Sequence, residues 1–385
     1  MNNNFKMIAK TFFGMEEVLK EEVISLGGQN VECGNRLVSF YGDKGFMYKA
    51  NLCLRTALRI LVPIHIFYAN SYDDFYNELN KYDWNKHVDL SNTFLFDSVV
   101  TGNIFRHSLY VSQKAKDALV DSFYSRENDR PNVDLNYPDI IFHIHIRENK
   151  CTLLIDSSGE SLHKRGYRVS SDIAPINEVL AAGIINLSGW DKSTDFLDPM
   201  CGSGTFLIEA AMIACKIPAN LNRNEFAFEK WNDWDENLFI LIRDSQLKKV
   251  ETPDISITGY DISNSVILKA NKNIQEAGLK DFINIKQKDF FETKKSIKKK
   301  LLIIINPPYG QRLKGEINDL YKSIGNTLKK QYLDSNTWIV SSNFEAIKYI
   351  GLRSKTKIKL FNGKLESRLM NFTIYEGTKK IGKIN

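Results

Sequence analysis

The stretch Asp195–Cys215, with the sequence DFLDPMCGSGTFLIEAAMIAC, is the part of the chain from which the fold is inferred. The residues just before Asp198 are apolar, as at the end of a buried strand. Gly202 and Gly204 permit positive φ and a close approach of the backbone to a ligand. Apolar residues then recur at helical spacing. The stretch predicts a strand, a glycine turn and a helix, whose N-terminal N–H groups favour an anionic group.

The kind of ligand follows from what this turn lacks. A dinucleotide-binding fingerprint needs a third glycine where Leu207 stands, and a P-loop needs a lysine that does not follow Gly204. The missing glycine argues against a nicotinamide oxidoreductase. A small cofactor with one carboxylate and one nucleoside fits better, and S-adenosylmethionine is such a molecule. Taken alone, the turn is also compatible with a tight connection that binds nothing.

A second informative stretch is Leu301–Gly310, LLIIINPPYG. Its five apolar residues predict a buried strand of a parallel sheet. Ligands of open α/β sheets bind beyond the carboxyl ends of the strands, so Asn306-Pro307-Pro308-Tyr309 should lie beside the glycine turn. The Asn306 amide, the Pro307 carbonyl and the Tyr309 ring would suit the exocyclic amine of a planar base. The alternative is a Pro-Pro turn that only closes a strand.

Together, D-P-M-C-G-S-G-T, N-P-P-Y-G and an acidic strand end at Asp261 resemble class I S-adenosylmethionine-dependent methyltransferases that act on amino groups of nucleic-acid bases. S-G-E-S-L-H-K-R-G-Y-R and A-P-I-N-E, before the glycine turn, are similar to bacterial THUMP-domain RNA methyltransferases, which include 23S rRNA guanine-N2 enzymes. The resemblance implies a Rossmann-like α/β domain with a mostly parallel seven-stranded sheet and a C-terminal antiparallel hairpin. It also implies a ferredoxin-like domain at 1–64, a THUMP RNA-binding domain at 65–156 and the methyltransferase domain at 157–385.

The resemblance also implies a set of site residues. The residues expected to take part in catalysis are Asn306, Pro307, Pro308 and Tyr309. The residues expected to bind S-adenosylmethionine are Pro175, Asp198, Pro199, Cys201, Gly202, Ser203, Gly204, Thr205, Asp261, Ile262, Asp289, Phe290 and Asn306. From its position alone, Asp261 is suited to accept the ribose hydroxyls or to cap the helix that follows. In the family, the position of Asp289-Phe290 holds the adenine.

The implied partner is RNA, either 23S rRNA or a ribosomal precursor. The cations expected to contact phosphate are Arg106, Lys114, Arg126, Arg130, Lys164 and Arg165. Tyr110 or Tyr124 could stack on a base. Lys355, Lys357, Lys359 and Lys364 crowd a predicted C-terminal hairpin around Asn362-Gly363, where they could equally form a solvated edge.

Length and composition indicate the broad class of protein. The 385 residues predict two or three domains, and the net charge of +6 is compatible with a polyanionic partner. No apolar run reaches membrane-spanning length, and the N-terminal residues contain no apolar signal core, so we expect a cytoplasmic protein without membrane contact. Five cysteines without a C-x-x-C pair argue against disulfides and zinc. His143 and His145 lack a third ligand nearby, so no metal is expected.

The resemblance implies a reaction that transfers the methyl group of S-adenosylmethionine to the N2 amine of a guanine in RNA, a choice over adenine that the motif alone does not make. Hydrogen bonds from the amine to Asn306 and Pro307 would aim its lone pair at the methyl group, and Tyr309 would stack on the flipped base. An N6-adenine methyltransferase acting on DNA or RNA shares the same motif and stays open. A non-catalytic RNA-binding protein with a methyltransferase fold is the other alternative. Pro175 is expected to open a helix from Ile176 to Leu187.

Overall fold

The computed structural model describes residues 4–169, 175–296, 299–308 and 314–375. The chain forms two compact units. The first comprises residues 1–11, 19–162 and 223–246, and the second comprises residues 12–18, 163–222 and 247–385.

The described elements are bounded as follows. The strands are β1 Phe5–Lys10, β2 Gln29–Gly34, β3 Leu37–Gly42, β4 Arg59–Tyr68, β5 Thr93–Thr101, β6 Asn132–Val133, β7 Ile140–Arg147, β8 Lys150–Asp156, β9 Asp195–Asp198, β10 Ile257–Asp261, β11 Ile283–Gln287, β12 Leu301–Ile305, β13 Ser335–Ser341, β14 Thr356–Asn362 and β15 Leu365–Ile374. The α-helices are α1 Glu16–Leu26, α2 Lys44–Cys53, α3 Tyr72–Asn80, α4 Ser108–Glu127, α5 Glu178–Leu187, α6 Thr205–Ala214, α7 Glu236–Leu247, α8 Asn264–Glu276 and α9 Lys314–Gln331.

The first unit is built on an eight-stranded sheet with the order β2-β3-β1-β4-β8-β7-β5-β6. Strand β4 pairs with β1 on one side and β8 on the other, so one sheet continues across the predicted boundary at 64/65. The division into domains 1–64, 65–156 and 157–385 stays a proposal, since the compact units group the chain differently.

The segment 223–246 belongs to the first unit, although it follows α6 in sequence. Its aromatic side chains form a cluster with Tyr48 of α2. The Tyr48 ring centroid lies 4.6 Å from that of Phe228, 5.1 Å from that of Trp234 and 6.0 Å from that of Phe239. Aromatic rings bury large apolar areas, so this cluster extends the core of the first unit.

The second unit contains a seven-stranded sheet with the order β11-β10-β9-β12-β13-β15-β14. Its first five strands are parallel, and the hairpin β14–β15 is antiparallel. Apolar residues of α5, α6 and α8 pack on one face of the sheet, and those of α9 pack on the other. Gly363, at φ +63°, makes the predicted hairpin turn. The expected class I architecture is thereby confirmed.

The predicted start of α5 was wrong by two residues. The helix begins at Glu178, because the Asn177 side chain accepts hydrogen bonds from the N–H groups of Val179 and Leu180. Asparagine is a strong N-cap, so Pro175 lies before the helix and not at its first position. Within the described ranges, every helix is too short or too polar to cross a bilayer.

Candidate active site

Three polar residues meet at the carboxyl edge of the second sheet. Asp198 ends β9, Asp261 ends β10, and Asn306 directly follows β12. Strand β9 pairs in parallel with both β10 and β12, so the three strand ends are neighbours. The edge therefore brings together the two motifs that the sequence keeps about a hundred residues apart.

The glycine turn between β9 and α6 is held by hydrogen bonds from its backbone N–H groups to residues of β10. The N–H of Cys201 donates to the Tyr260 carbonyl across 2.9 Å, and the N–H of Gly202 donates to Oδ2 of Asp261 across 3.2 Å. Gly202 and Gly204 adopt φ +52° and +85°, and Gly204 is the N-cap of α6. Their left-handed conformations explain why glycine stands at these positions.

The carboxylate of Asp261 has two backbone partners. Besides Gly202, the N–H of Ser263 donates to its Oδ1 across 3.0 Å. The N-cap of α8 is Ser263, so Asp261 is not the cap residue of that helix. A carboxylate offers about four acceptor sites, so Asp261 retains capacity to accept ligand hydroxyls.

Asp198 is buried, with 1% exposure, and its Oδ1 accepts a hydrogen bond from the N–H of Met200 across 3.2 Å. Burial, and then the nearby charge of Asp261, raise the pKa of Asp198 to about 8. Burial also raises the pKa of the Cys201 thiol well above its usual range. A thiol of this kind is a poor nucleophile, so Cys201 is suited to filling space in the turn.

The strand ends open into a cleft of about 770 Å³, a volume suited to a nucleoside-sized ligand. Most of the predicted cofactor and catalytic residues line it together. These are Pro175, Asp198, Pro199, Cys201, Gly202, Ser203, Thr205, Asp261, Ile262, Asp289, Phe290, Asn306, Pro307 and Pro308. Sequence reasoning missed six lining residues. Ile176 and Met200 lie within the quoted motifs, whereas Phe206, Lys288, Phe291 and Leu320 lie outside them.

The residues expected around an adenine sit at one end of this cleft. Asp289 caps the 3-10 helix Phe290–Glu292 through a 2.8 Å hydrogen bond from the Phe291 N–H to its Oδ1. The Phe290 ring is buried against Tyr332, at 5.3 Å between centroids, whereas Ile262 is exposed. Ile262 and Phe291 therefore offer more apolar surface to a base than Phe290 does.

At the other end, the chain leaves β12 through Asn306, Pro307 and Pro308. Asn306 is half-buried, Pro307 is buried and Pro308 is exposed. Tyr309, the predicted stacking residue, lies outside the described residues.

Arg168 and Val169 are hydrogen-bonded around the glycine turn, which the sequence did not indicate. Arg168 donates from Nε to Oε1 of Glu178 across 2.6 Å, from Nη1 to Oγ of Ser203 across 3.0 Å, and from Nη2 to Oγ1 of Thr205 across 2.9 Å. The N–H of Val169 donates to Asn273, whose side-chain amide donates to the Ser203 carbonyl. Arg168 and Asn273 are therefore positioned to hold the turn in shape.

The prediction that Arg165 contacts RNA disagrees with its position. Its side chain is 1% exposed, its Nε lies 3.4 Å from Oε1 of Glu209, and its Nη1 donates to Asn220 across 3.1 Å. Tyr167 donates to the same Glu209 oxygen across 3.0 Å. A buried cation needs such partners, so Arg165 belongs to the interior of the second unit and is not available to a phosphate.

The other predicted RNA-binding cations are divided between the two compact units. Lys164 is an exposed residue of the second unit, and Arg106, Arg126 and Arg130 are exposed residues of the first. Arg126 donates to the Ser122 carbonyl near the end of α4. Lys114 is half-buried, its Nζ 4.0 Å from Asp73 and 5.4 Å from the centre of the Tyr76 ring, so it is less accessible than the arginines.

The two histidines on β7 differ in their surroundings, and His143 has protein partners. His143 lies 3.3 Å from Asp156 and 3.5 Å from Asp97, and burial lowers the pKa of His145 to about 4. Among the residues that the structure describes, no three His, Cys, Asp or Glu side chains are grouped as metal ligands.

Several proteins with similar sequences are methyltransferases by name. The ribosomal RNA large subunit methyltransferase K/L of Desulfotalea psychrophila is 36% identical over 378 residues, which cover 95% of this chain and 52% of that protein. A putative RNA methyltransferase of Synechocystis sp. is 32% identical over 365 residues, which cover 94% of this chain and 95% of that protein. The chain thus spans about half the length of the K/L relatives.

A solved structure is similar along the whole chain. A putative methyltransferase crystallised in complex with SAH matches with a TM-score of 0.87 and 30% identity, over 98% of this chain and 100% of that chain.

Three family models match successive parts of the sequence. Residues 6–61 match the RlmL ferredoxin-like domain, and residues 69–156 match the THUMP domain. Residues 165–371, which include the whole cleft, match the RMKL-like methyltransferase domain. The resemblance inferred from the motifs is confirmed, and the chain belongs to the family of RMKL-like methyltransferases that carry a THUMP domain.

Proposed function

We propose that this chain transfers a methyl group from S-adenosylmethionine to the exocyclic N2 amine of a guanine in large-subunit ribosomal RNA. The observation that carries the proposal is the position of Asn306 and Pro307. They leave β12 in the same cleft as the glycine turn and Asp261, so an amine held there would lie next to a bound cofactor.

The residues of the cleft fit the chemistry of this cofactor. The N-terminus of α6, which begins at Thr205, favours a carboxylate such as that of the methionyl group. Asp261 can accept ribose hydroxyls beside the turn, and Asp198 supplies a second acidic group for the α-ammonium. When bound, S-adenosylmethionine supplies a methyl group on a positively charged sulfur. SAH is bound by the similar solved methyltransferase, which supports this choice.

The protein's part in the reaction is to position a weak nucleophile. The lone pair of an aromatic amine is delocalised into the ring, so the free amine reacts poorly. Asn306 Oδ1 and the Pro307 carbonyl oxygen can accept its two N–H protons and so favour a tetrahedral nitrogen with a directed lone pair. The rate enhancement then comes from orientation and electrostatics.

RNA as the substrate is supported by the THUMP match and by the names of the relatives. The exposed arginines of the first unit, Arg106, Arg126 and Arg130, are the cations that we assign to phosphate contacts. Such contacts position an RNA without reading its sequence. Exposed Tyr110 and Tyr124 provide rings on which an unpaired base could stack.

Guanine and adenine both present an exocyclic amine, so the cleft supports N2 of guanine and N6 of adenine alike. The test is to incubate the full chain with S-adenosylmethionine carrying a labelled methyl group and an unmodified large-subunit rRNA transcript, and to analyse the nucleosides by mass spectrometry. N2-methylguanosine is the expected product. N6-methyladenosine alone would overturn the guanine assignment, and binding of RNA without any methylation would favour a non-catalytic RNA-binding protein.

A further inference from the structure

The C-terminal hairpin places cations on the same sheet edge as the cleft. Strand β15 runs antiparallel to β13, and its residue Arg368 pairs with Ser341, the last residue of β13. Lys359 of β14 pairs with Arg368 in turn. Since β13 lies beside β12 in parallel, this row lies at the carboxyl edge. Arg368 is two strands from Asn306 and Lys359 is three, or roughly 10 Å and 14 Å at the usual strand spacing.

We call the hairpin patch the group formed by Phe344, Lys359 and Arg368 along this row and by Lys364 in the turn between β14 and β15. The Arg368 guanidinium lies 4.2 Å from the centre of the Phe344 ring, which belongs to the loop after β13. Lys359, Lys364 and Arg368 are exposed, and Phe344 is half-buried. A guanidinium stacked on a ring keeps its donors in a fixed plane, as phosphate recognition requires.

The charge of the hairpin patch is predominantly positive. The Nζ of Lys359 lies 2.7 Å from a carboxylate oxygen of Glu366, and the carboxylate of Glu345, next to Phe344, is paired with Lys348. Both partners of the Lys359–Glu366 ion pair are well exposed, so the pair is weak and a phosphate can compete for Lys359. Lys364 and Arg368 are the cations that dominate the patch.

Protection of a sheet edge does not explain this arrangement. Lysines on an edge strand prevent pairing with other chains, and Lys355, Lys357 and Lys359 on β14 fit that role. Arg368, however, lies on β15, which is paired on both sides, and Lys364 lies in the turn. Edge protection therefore does not account for these two cations.

We propose that the hairpin patch binds the RNA strand that flanks the methylated nucleotide. A flipped base makes few contacts of its own, so the adjoining backbone must be held close to the catalytic edge. The patch provides phosphate-binding cations there, within the second unit and separate from the cations of the first. This inference rests on the proposed function, because it assumes that the base bound near Asn306 belongs to RNA.

The test compares two double variants of the full chain. Lys364→Gln with Arg368→Gln removes the two dominant cations of the patch. Lys192→Gln with Lys330→Gln removes the same charge from exposed residues near the amino edge of the sheet, just before β9 and at the end of α9. The measurements are binding of an unmodified large-subunit rRNA transcript at several salt concentrations, the steady-state kinetics of its methylation, and binding of S-adenosylmethionine.

The patch variant should bind the transcript roughly tenfold more weakly, with a salt slope smaller by about one to two units, because two phosphate contacts are lost. Its KM for RNA should rise by a similar factor, while kcat and cofactor affinity stay unchanged. The control variant should behave like the wild type. Equal RNA affinity and slope in both variants would overturn the inference.

The outcomes separate this inference from the function on which it rests. A wild-type chain that neither binds nor methylates the transcript would reject the proposed function itself. If the double variant fails to fold, Lys364→Gln alone carries the same test, since Lys364 is an exposed turn residue. Its salt slope should then fall by about 0.7, the value for one contact to a single strand, and an unchanged slope would overturn the inference.

Discussion

Arg168 and Glu178 form an ion pair beside the glycine turn, with 2.6 Å between Nε and Oε1. The same guanidinium donates to the hydroxyls of Ser203 and Thr205, two residues of the turn that line the cleft. One arginine thus fixes the relative positions of the turn and the start of α5. Its own side chain does not line the cleft, so we regard it as a positioning residue.

Arg168→Lys should weaken the binding of S-adenosylmethionine by about tenfold, because an ammonium cannot make the forked, planar set of hydrogen bonds. Titration calorimetry measures this, and thermal unfolding shows whether the fold survives. Arg126→Lys, an exposed arginine of α4 in the first unit, is the matched control and should leave cofactor binding unchanged. If both variants bind alike, Arg168 does not position the turn.

Asn306→Ala and Asp261→Ala should affect different steps. Loss of the Asn306 amide should cut kcat by roughly 100-fold, the scale for a lost transition-state partner, while cofactor affinity changes only a few-fold. Loss of the Asp261 carboxylate removes a ribose acceptor and the partner of the Gly202 N–H, so it should mainly weaken cofactor binding. Single-turnover rates and calorimetry separate the two effects. Normal turnover in Asn306→Ala would contradict the role of the amide.

The parts of the site that the sequence could predict are those built from contiguous residues. The glycine turn and Asn306 each follow a short apolar strand, so a local pattern determines both their conformation and their edge of the sheet. Prediction from the sequence failed for a side chain whose burial depends on partners far away in the sequence. Arg165 looked like a surface cation, but Glu209, 44 residues later, neutralises it inside the second unit.

The sequence did not reveal that segment 223–246 packs with the first unit, and the reason is the same. Its aromatic residues would suit any apolar core, and only the position of Tyr48, about 180 residues earlier, determines which core they join. The start of α5 shows a smaller, local error. Proline at a first helical position and asparagine at an N-cap are both common signals, and here Asn177 provided the cap.

Phe228→Ala should destabilise the first unit by about 3–5 kcal/mol, the usual cost of removing a buried phenyl ring. Phe228 is fully buried, and its ring packs against the rings of Tyr48, Trp234 and Phe239. Tyr137→Ala, at a highly exposed ring of the same unit, should stay within about 0.5 kcal/mol of the wild type. Denaturant unfolding followed by tryptophan fluorescence provides the comparison. Similar midpoints for the two variants would show that the aromatic cluster contributes little.

The raised pKa of Asp198 predicts opposite pH effects on stability and on cofactor binding. In the unfolded chain the carboxyl loses its proton near its ordinary pKa of 3.8, whereas the folded chain keeps the proton up to about pH 8. The unfolded state therefore binds fewer protons than the native state between these values, and the stability contributed by Asp198 falls as the pH rises through that window. The side-chain amide in the Asp198→Asn variant cannot ionise, so the stability of this variant should not fall in this way.

The melting temperature of Asp198→Asn without cofactor should therefore rise relative to that of the wild type as the pH increases from about 4 to about 8. Asp254→Asn, which removes an exposed carboxylate of the same unit, should show no such trend. If the melting temperatures of wild type and Asp198→Asn differ by the same amount at every pH, Asp198 is not protonated in the folded chain.

Binding of S-adenosylmethionine should lower the pKa of Asp198, because the positive charges of the cofactor's ammonium and sulfonium groups favour the ionised carboxylate. The wild-type chain should then release up to one proton on binding at neutral pH, and its affinity should rise toward pH 8. Calorimetry in two buffers of different ionisation enthalpy measures the released proton. Asp198→Asn should bind more weakly, release no proton from this site and show a flatter pH profile. Equal proton release by the two proteins would rule out Asp198 as the group that responds to the cofactor's charge.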